Sequence, residues 1–132
     1  MEKNISCLLV DDDPDDQEIF IMTLSEIDKR IVCTCSYDGI KALALLQSYM
    51  TFVPDFIFLD INMPRMNGLV CLEELRKIDR LNKTEIVMYS TTADRRLEER
   101  SKAIGANQFL IKPTGIETMK TKLREIFLRH TG

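Results

Sequence analysis

The chain alternates five times between a short apolar run and a longer amphipathic stretch. The runs centre on Leu8-Leu9-Val10, Ile31-Val32-Cys33, Phe56-Ile57-Phe58-Leu59, Ile86-Val87-Met88-Tyr89 and Phe109-Leu110-Ile111. Short apolar runs bounded by polar residues read as strands buried on both faces of a parallel sheet. The pattern predicts strands over 5–10, 31–36, 55–60, 85–90 and 107–112, with helices over 14–29, 39–50, 68–79, 94–104 and 115–129. Strict alternation of this kind implies an α/β fold, one doubly wound five-stranded sheet with helices on both faces.

Helix boundaries are marked chemically. Asp13-Pro14 sets an N-cap before a proline at the first helical position, and Asp15 and Asp16 suit the positive end of the helix dipole. Asp38-Gly39 and Asn67-Gly68 open the second and third helices, and Gly105 stops the fourth. In the first helix, Phe20, Leu24 and Ile27 define the buried face, leaving Ile19 and Met22 outside. In the last, Ile116, Met119, Leu123, Ile126 and Phe127 form an apolar stripe expected to lie in the core. The fourth helix has only Leu97 and Ile104 as large apolar residues. It reads equally as a loosely anchored moving part or as a plain surface helix.

At 132 residues, 45% hydrophobic and 30% charged, the chain fits one ordinary domain over 1–132 with its core at about 5–130. Only Thr131 and Gly132 follow the last helix, so no output domain is expected. No run approaches the roughly 20 apolar residues of a membrane span, and the N-terminus lacks a signal-peptide pattern. A cytoplasmic location without membrane binding is the expectation. A net charge of −3 offers no nucleic-acid footprint. Cys7, Cys33, Cys35 and Cys71 lie in apolar runs without a CxxC and read as small buried hydrophobes, although Cys33 and Cys35 share a strand face. His130 reads as a solvated last-turn residue.

The chemistry lies where the strands end. Asp11-Asp12, Asp60, Ser90 and Lys112 each follow a different apolar run. In an open parallel sheet the carboxyl ends of the strands face a common crevice. Acids, a hydroxyl and a lysine therefore converge on one edge, although each taken singly also reads as a helix start, a turn cap or a strand-end lysine.

These residues resemble the receiver domain of two-component response regulators, of the single-domain chemotaxis type. The resemblance rests on Leu8-Leu9-Val10-Asp11-Asp12, Leu59-Asp60-Ile61-Asn62-Met63-Pro64, Asn67-Gly68, Ser90 and Lys112-Pro113, with 30 positions from Asp60 to Ser90 and 52 to Lys112. It implies a flavodoxin-like sheet of order 2-1-3-4-5. It also implies that Asp60 accepts a phosphoryl group from a phosphohistidine on a sensor histidine kinase or a phosphotransfer protein. Mg2+ would be held by Asp11, Asp12, Asp60 and the backbone carbonyl of Asn62, with Asp11 acting through a coordinated water. Lys112 and Ser90 would contact phosphoryl oxygens. The hydroxyl of Ser90 and the ring of Phe109 would then switch, reshaping a face of helix 4, strand 5 and helix 5 for a downstream protein. Phe109 stands where tyrosine is common, and reads equally as a core phenylalanine. Ser90 replaces the commoner threonine, and Thr91 a frequent alanine. From its place opposite the buried face of the first helix, Met22 with the neighbouring Ile19 is expected to help dock the donor's histidine-bearing helices, and Leu97 and Phe109 complete the candidate partner face. Such a protein is a signalling phosphoacceptor rather than an enzyme.

Three other classes compete. Asp11 and Asp13 superficially fit the first motif of haloacid-dehalogenase-like phosphohydrolases, but no aspartate follows Lys112 to complete their metal site. A flavodoxin-like FMN carrier needs a first loop that welcomes phosphate, whereas Asp-Asp-Asp-Pro-Asp-Asp repels it. A phosphorylation-independent pseudo-receiver would be expected to lack part of the site.

Overall fold

Every apolar run becomes a strand: β1 (Ile5–Val10), β2 (Ile31–Ser36), β3 (Phe56–Asp60), β4 (Glu85–Ser90) and β5 (Gln108–Ile111). The helices between and after them are α1 (Pro14–Ile27), α2 (Gly39–Ser48), α3 (Gly68–Arg76), α4 (Arg95–Ile104) and α5 (Ile116–Thr131). The computed structural model describes residues 3–63 and 65–131, the final two by backbone alone. Pro64 and the side chain of His130, both singled out above, fall outside the described residues.

All strand pairs are parallel, in the order β2-β1-β3-β4-β5. β3 is central, and all five of its residues are buried. Alternate residues along each strand feed two cores. Leu8, Val10, Ile57, Leu59, Ile86 and Met88 pack with Ala42, Leu46, Cys71, Leu72 and Leu75 of α2 and α3. Cys7, Leu9, Phe56, Phe58, Val87 and Tyr89 face Phe20 and Leu24 of α1 and Met119, Leu123 and Phe127 of α5. Phe20 meets Phe58 edge-on at 5.0 Å between ring centroids, and Phe56 lies 4.5 Å from Phe127. Fully buried side chains of this size contribute roughly 1.5–3 kcal/mol each through removal from water.

The three caps read from the sequence form, and Asp94 adds a fourth. Asp13 Oδ1 accepts from Asp15 N, Asp38 Oδ1 from Lys41 N, Asn67 Oδ1 from Val70 N, and Asp94 Oδ1 from Arg96 N and Leu97 N. Gly105, at φ +134°, ends α4.

Three expectations need correction. α3 stops at Arg76 rather than near 79, because the chain tightens into a 3-10 turn at Asp79–Leu81 that drives Leu81 into the core. Ile116 is 48% exposed and is not part of the α5 core stripe. It is the first residue of that helix, at the rim of the sheet, one turn short of the core. Cys33 and Cys35 are only half-buried because β2 is an edge strand, whereas Cys7 and Cys71 are buried.

Candidate functional site

The parallel register delivers the polar residues together. Asp60 is the last residue of β3 and pairs with Tyr89, so Ser90 follows one step along β4. Ser90 pairs with Ile111, which puts Lys112 next, and Lys112 N donates to Ser90 O at 2.6 Å. Asp11 follows β1, and its N–H is held by Ser36 O at 3.1 Å. The buried amide of Gln17 on α1 donates to Asp11 O at 2.8 Å, fixing the backbone where the chain leaves the sheet.

Carboxylate oxygens of Asp11, Asp12 and Asp60 lie within 4.8 Å of one another. Among the described residues they are the one such group of three possible metal ligands. Asp11 and Asp60 are buried and Asp12 is exposed, so the cluster has a dry floor and an open mouth. Lys112 Nζ reaches into it, 3.1 Å from Asp60 Oδ2 and 3.2 Å from Asp11 Oδ2, and lies 4.9 Å from the centroid of the Tyr89 ring. Asp60 Oδ1 accepts from Asn62 N at 3.0 Å.

Electrostatics follow from this crowding. Burial is the main reason that the carboxyls of Asp60 and Asp11 are pushed above the usual carboxylate range. Lys112 pulls each back only in part, and Asp12 adds repulsion at Asp60. Burial pulls Lys112 down, but the hydrogen bond it donates to Asp16 and the charges of Asp60 and Asp11 outweigh it and hold the ammonium well above its ordinary value.

Ser90 sits at the same edge, fully buried, but its hydroxyl is turned into its own loop. Its Oγ donates to Thr92 O and accepts from Thr92 N, both at 3.2 Å. Phe109 and Leu97 are half-buried against the α2–α4 core. Ile19 and Met22 are exposed on α1. Thus Asp11, Asp12, Asp60 and Lys112 are in mutual reach, Ser90 adjoins them, and the four candidate partner-face residues lie farther out.

Sequence reading missed Asp16. Its Oδ2 lies 3.0 Å from Lys112 Nζ, from the first turn of α1. The only signal was its position one turn after the acidic pair, where the helix dipole explained it equally well. Tyr89, whose ring walls the lysine, read simply as strand core.

The donor set fits a hard divalent cation, which favours carboxylate and carbonyl oxygens. Together the five-stranded order, the acid cluster and the strand-end lysine define a receiver fold. Residues 7–124 match the response regulator receiver domain, and the chain belongs to that family. It is 29% identical over 126 residues to a probable chemotaxis protein CheY of Rhizobium etli, covering 95% of this chain and 94% of that one. It is 36% identical over 111 residues to protein-glutamate methylesterase/protein-glutamine glutaminase 1 of Methanospirillum hungatei. That match takes in 80% of this chain, which spans only 31% of the length of the relative. Chemotaxis protein CheY4 of Vibrio cholerae superimposes with a TM-score of 0.79 at 30% identity, over 92% of this chain and 98% of that one. Receiver domains are signalling modules of two-component systems. They are phosphorylated by histidine kinases and generally bind Mg2+ at an acidic pocket. Among the described residues, no helix is long and apolar enough to cross a membrane.

Proposed function

We propose that this chain accepts a phosphoryl group on Asp60 and signals through the face formed by α4, β5 and α5. The observation that carries this reading is the meeting of Asp60 with Lys112 at 3.1 Å beside a three-carboxylate cluster at the strand ends. Mg2+ held by Asp11, Asp12, Asp60 and the Asn62 carbonyl would supply positive charge to offset the crowded acids and the incoming phosphoryl oxygens.

The residues then divide the work. An Asp60 carboxylate oxygen attacks phosphorus, the P–N bond to the donor histidine breaks, and its electron pair stays on the imidazole nitrogen. Lys112 pairs with a phosphoryl oxygen as negative charge accumulates. Phosphorylation adds about −1.5 to −2 charge at one point. The Ser90 hydroxyl leaves Thr92 and donates to the phosphoryl group, and Phe109 follows inward. α4 is suited to respond, since Ser101 is its one buried residue.

For the donor, a recess of about 170 Å³ is lined by residues that include Asp16, Ile19, Tyr89, Lys112, Ile116 and Met119, and Met22 is exposed on the same helix as Ile19. This recess suits the apolar flank of a helix that carries the phosphohistidine. The exposed Ile116 is a further apolar contact there. The protein is then a phosphoacceptor that responds to a kinase or phosphotransfer partner, rather than an enzyme with a substrate of its own.

The test is intact mass after brief incubation with acetyl phosphate and Mg2+, wild type beside Asp60→Asn. One phosphoryl adduct that requires Mg2+ and is absent in the variant is expected. No adduct together with no Mg2+-dependent beryllofluoride binding would favour a phosphorylation-independent adaptor.

A further inference from the structure

We infer that Asp16 is the positioning residue for Lys112, holding the ammonium in place when its other two partners are taken. The inference rests on the proposed phosphoacceptor reading. Lys112 Nζ has three carboxylate partners: Asp16 at 3.0 Å, Asp60 at 3.1 Å and Asp11 at 3.2 Å. Asp11 and Asp60 belong to the three-acid cluster suited to a cation, and Asp16 does not. A cation that claims Asp11 and Asp60 leaves Asp16 as the carboxylate still free for Lys112. Phosphoryl transfer to Asp60 then replaces its charged oxygen by an acyl phosphate and leaves Asp16 in place.

The geometry suits this task. Asp16 stands in the first turn of α1, where the helix dipole favours a negative charge. Asp13 caps that turn and Gln17 anchors the next residue to Asp11 O and Ser36 O, so the helix start is fixed to the sheet. The Lys112 side chain is only 12% exposed, and the Tyr89 ring lies beneath it. The Asp16 side chain is 39% exposed and lines the recess next to Ile19. It therefore joins the lysine to the surface that a donor would cover.

Two consequences follow for Asp16→Asn. Lys112 falls back on Asp11 and Asp60, where it competes with the cation, so apparent Mg2+ affinity falls about fivefold, the scale of one partly exposed ion pair. The ammonium is also less restrained, so its protons exchange faster with water. Asp15 supplies the control: it is exposed on the same helical turn and has the same charge. Asp15→Asn changes the general field without touching Lys112.

The experiment follows the Lys112 ammonium resonance by NMR in metal-free protein and titrates Mg2+ by calorimetry. The variants are Asp16→Asn, Asp16→Glu and Asp15→Asn, with Asp16→Asn and Asp15→Asn repeated on a Lys112→Met background. Expected are a protected ammonium in wild type, its loss in Asp16→Asn and recovery in Asp16→Glu. The Asp16→Asn loss of Mg2+ affinity should exceed that of Asp15→Asn, and should shrink to it once Lys112 is gone. Ammonium protection unchanged in Asp16→Asn, or an affinity loss that survives Lys112→Met, would overturn the inference. The ammonium signal is read without metal or phosphate, so wild type that shows it yet binds no Mg2+ would instead count against the phosphoacceptor reading.

Discussion

Gly68 packs directly on Asp60: a β-carbon at position 68 would stand 2.6 Å from the Asp60 carbonyl oxygen and 2.6 Å from Ile61 Cα. Both obstacles are backbone, and Gly68 N donates to Ile61 O at 2.8 Å, so α3 is seated against the strand end that carries Asp60. Gly68→Ala must push the helix start off β3. A loss of about 2 kcal/mol in urea unfolding is expected, in the range of overpacked sites. Slower adduct formation from acetyl phosphate should accompany it.

Asp60→Asn should raise stability in metal-free buffer at neutral pH. The folded Asp60 carboxyl lies above its unfolded value because of burial. The folded state therefore binds more protons in that window, and wild-type stability falls as pH rises through it. The variant has no such charge to bury. Its advantage should vanish below the ordinary carboxylate pKa of about 3.9, where wild type is neutral in both states. Thermal melts at two pH values check this, and Mg2+ should narrow the neutral-pH gap by stabilising wild type more than the variant, which lacks one of the carboxylates.

Lys112→Ala leaves three acids without their shared cation. Breaking a largely buried pair costs about 3 kcal/mol. Combining it with Asp60→Asn should cost less than the sum of the separate effects, because the stranded charge has been removed. A chemical-denaturation cycle over the four proteins measures that coupling.

Ser90→Ala removes two 3.2 Å hydrogen bonds within the Ser90–Thr92 turn, for a loss of about 1 kcal/mol. The variant should still be phosphorylated. Its NMR shifts at Leu97 and Phe109 on adding beryllofluoride should be much smaller than in wild type.

Met22→Glu puts a charge on the exposed face of α1. Transfer from a phosphohistidine protein should slow about tenfold, as expected for a lost apolar contact plus desolvation of a carboxylate. Acetyl phosphate should react as before. Equal rates from both donors in variant and wild type would remove Met22 from the docking face.

The strands were legible because their apolar runs are short and sharply bounded, and the caps because Asp, Asn, Pro and Gly act locally. Asp60 and Lys112 could be assigned to one edge because parallel strands put like ends together. Asp16 was not legible as a site residue. A carboxylate at a helix start has a sufficient local explanation, and its contact with Lys112 spans 96 positions in sequence. Ile116 misled for the opposite reason: helical period identifies a face, but cannot say how far along the helix the core reaches. The end of α3 was misjudged because a 3-10 turn preserves an apolar spacing close to that of an α-helix.

The sheet that builds the site also divides the molecule. The recess beside Ile19 and Ile116 opens on the α1–α5 layer, whereas Leu97 and Phe109 pack into the layer of α2, α3 and α4. A protein seated at the recess would leave the opposite wall uncovered. The proposed output face shares α5 with that recess, so a seated donor leaves α4 open but competes with any target for the start of α5.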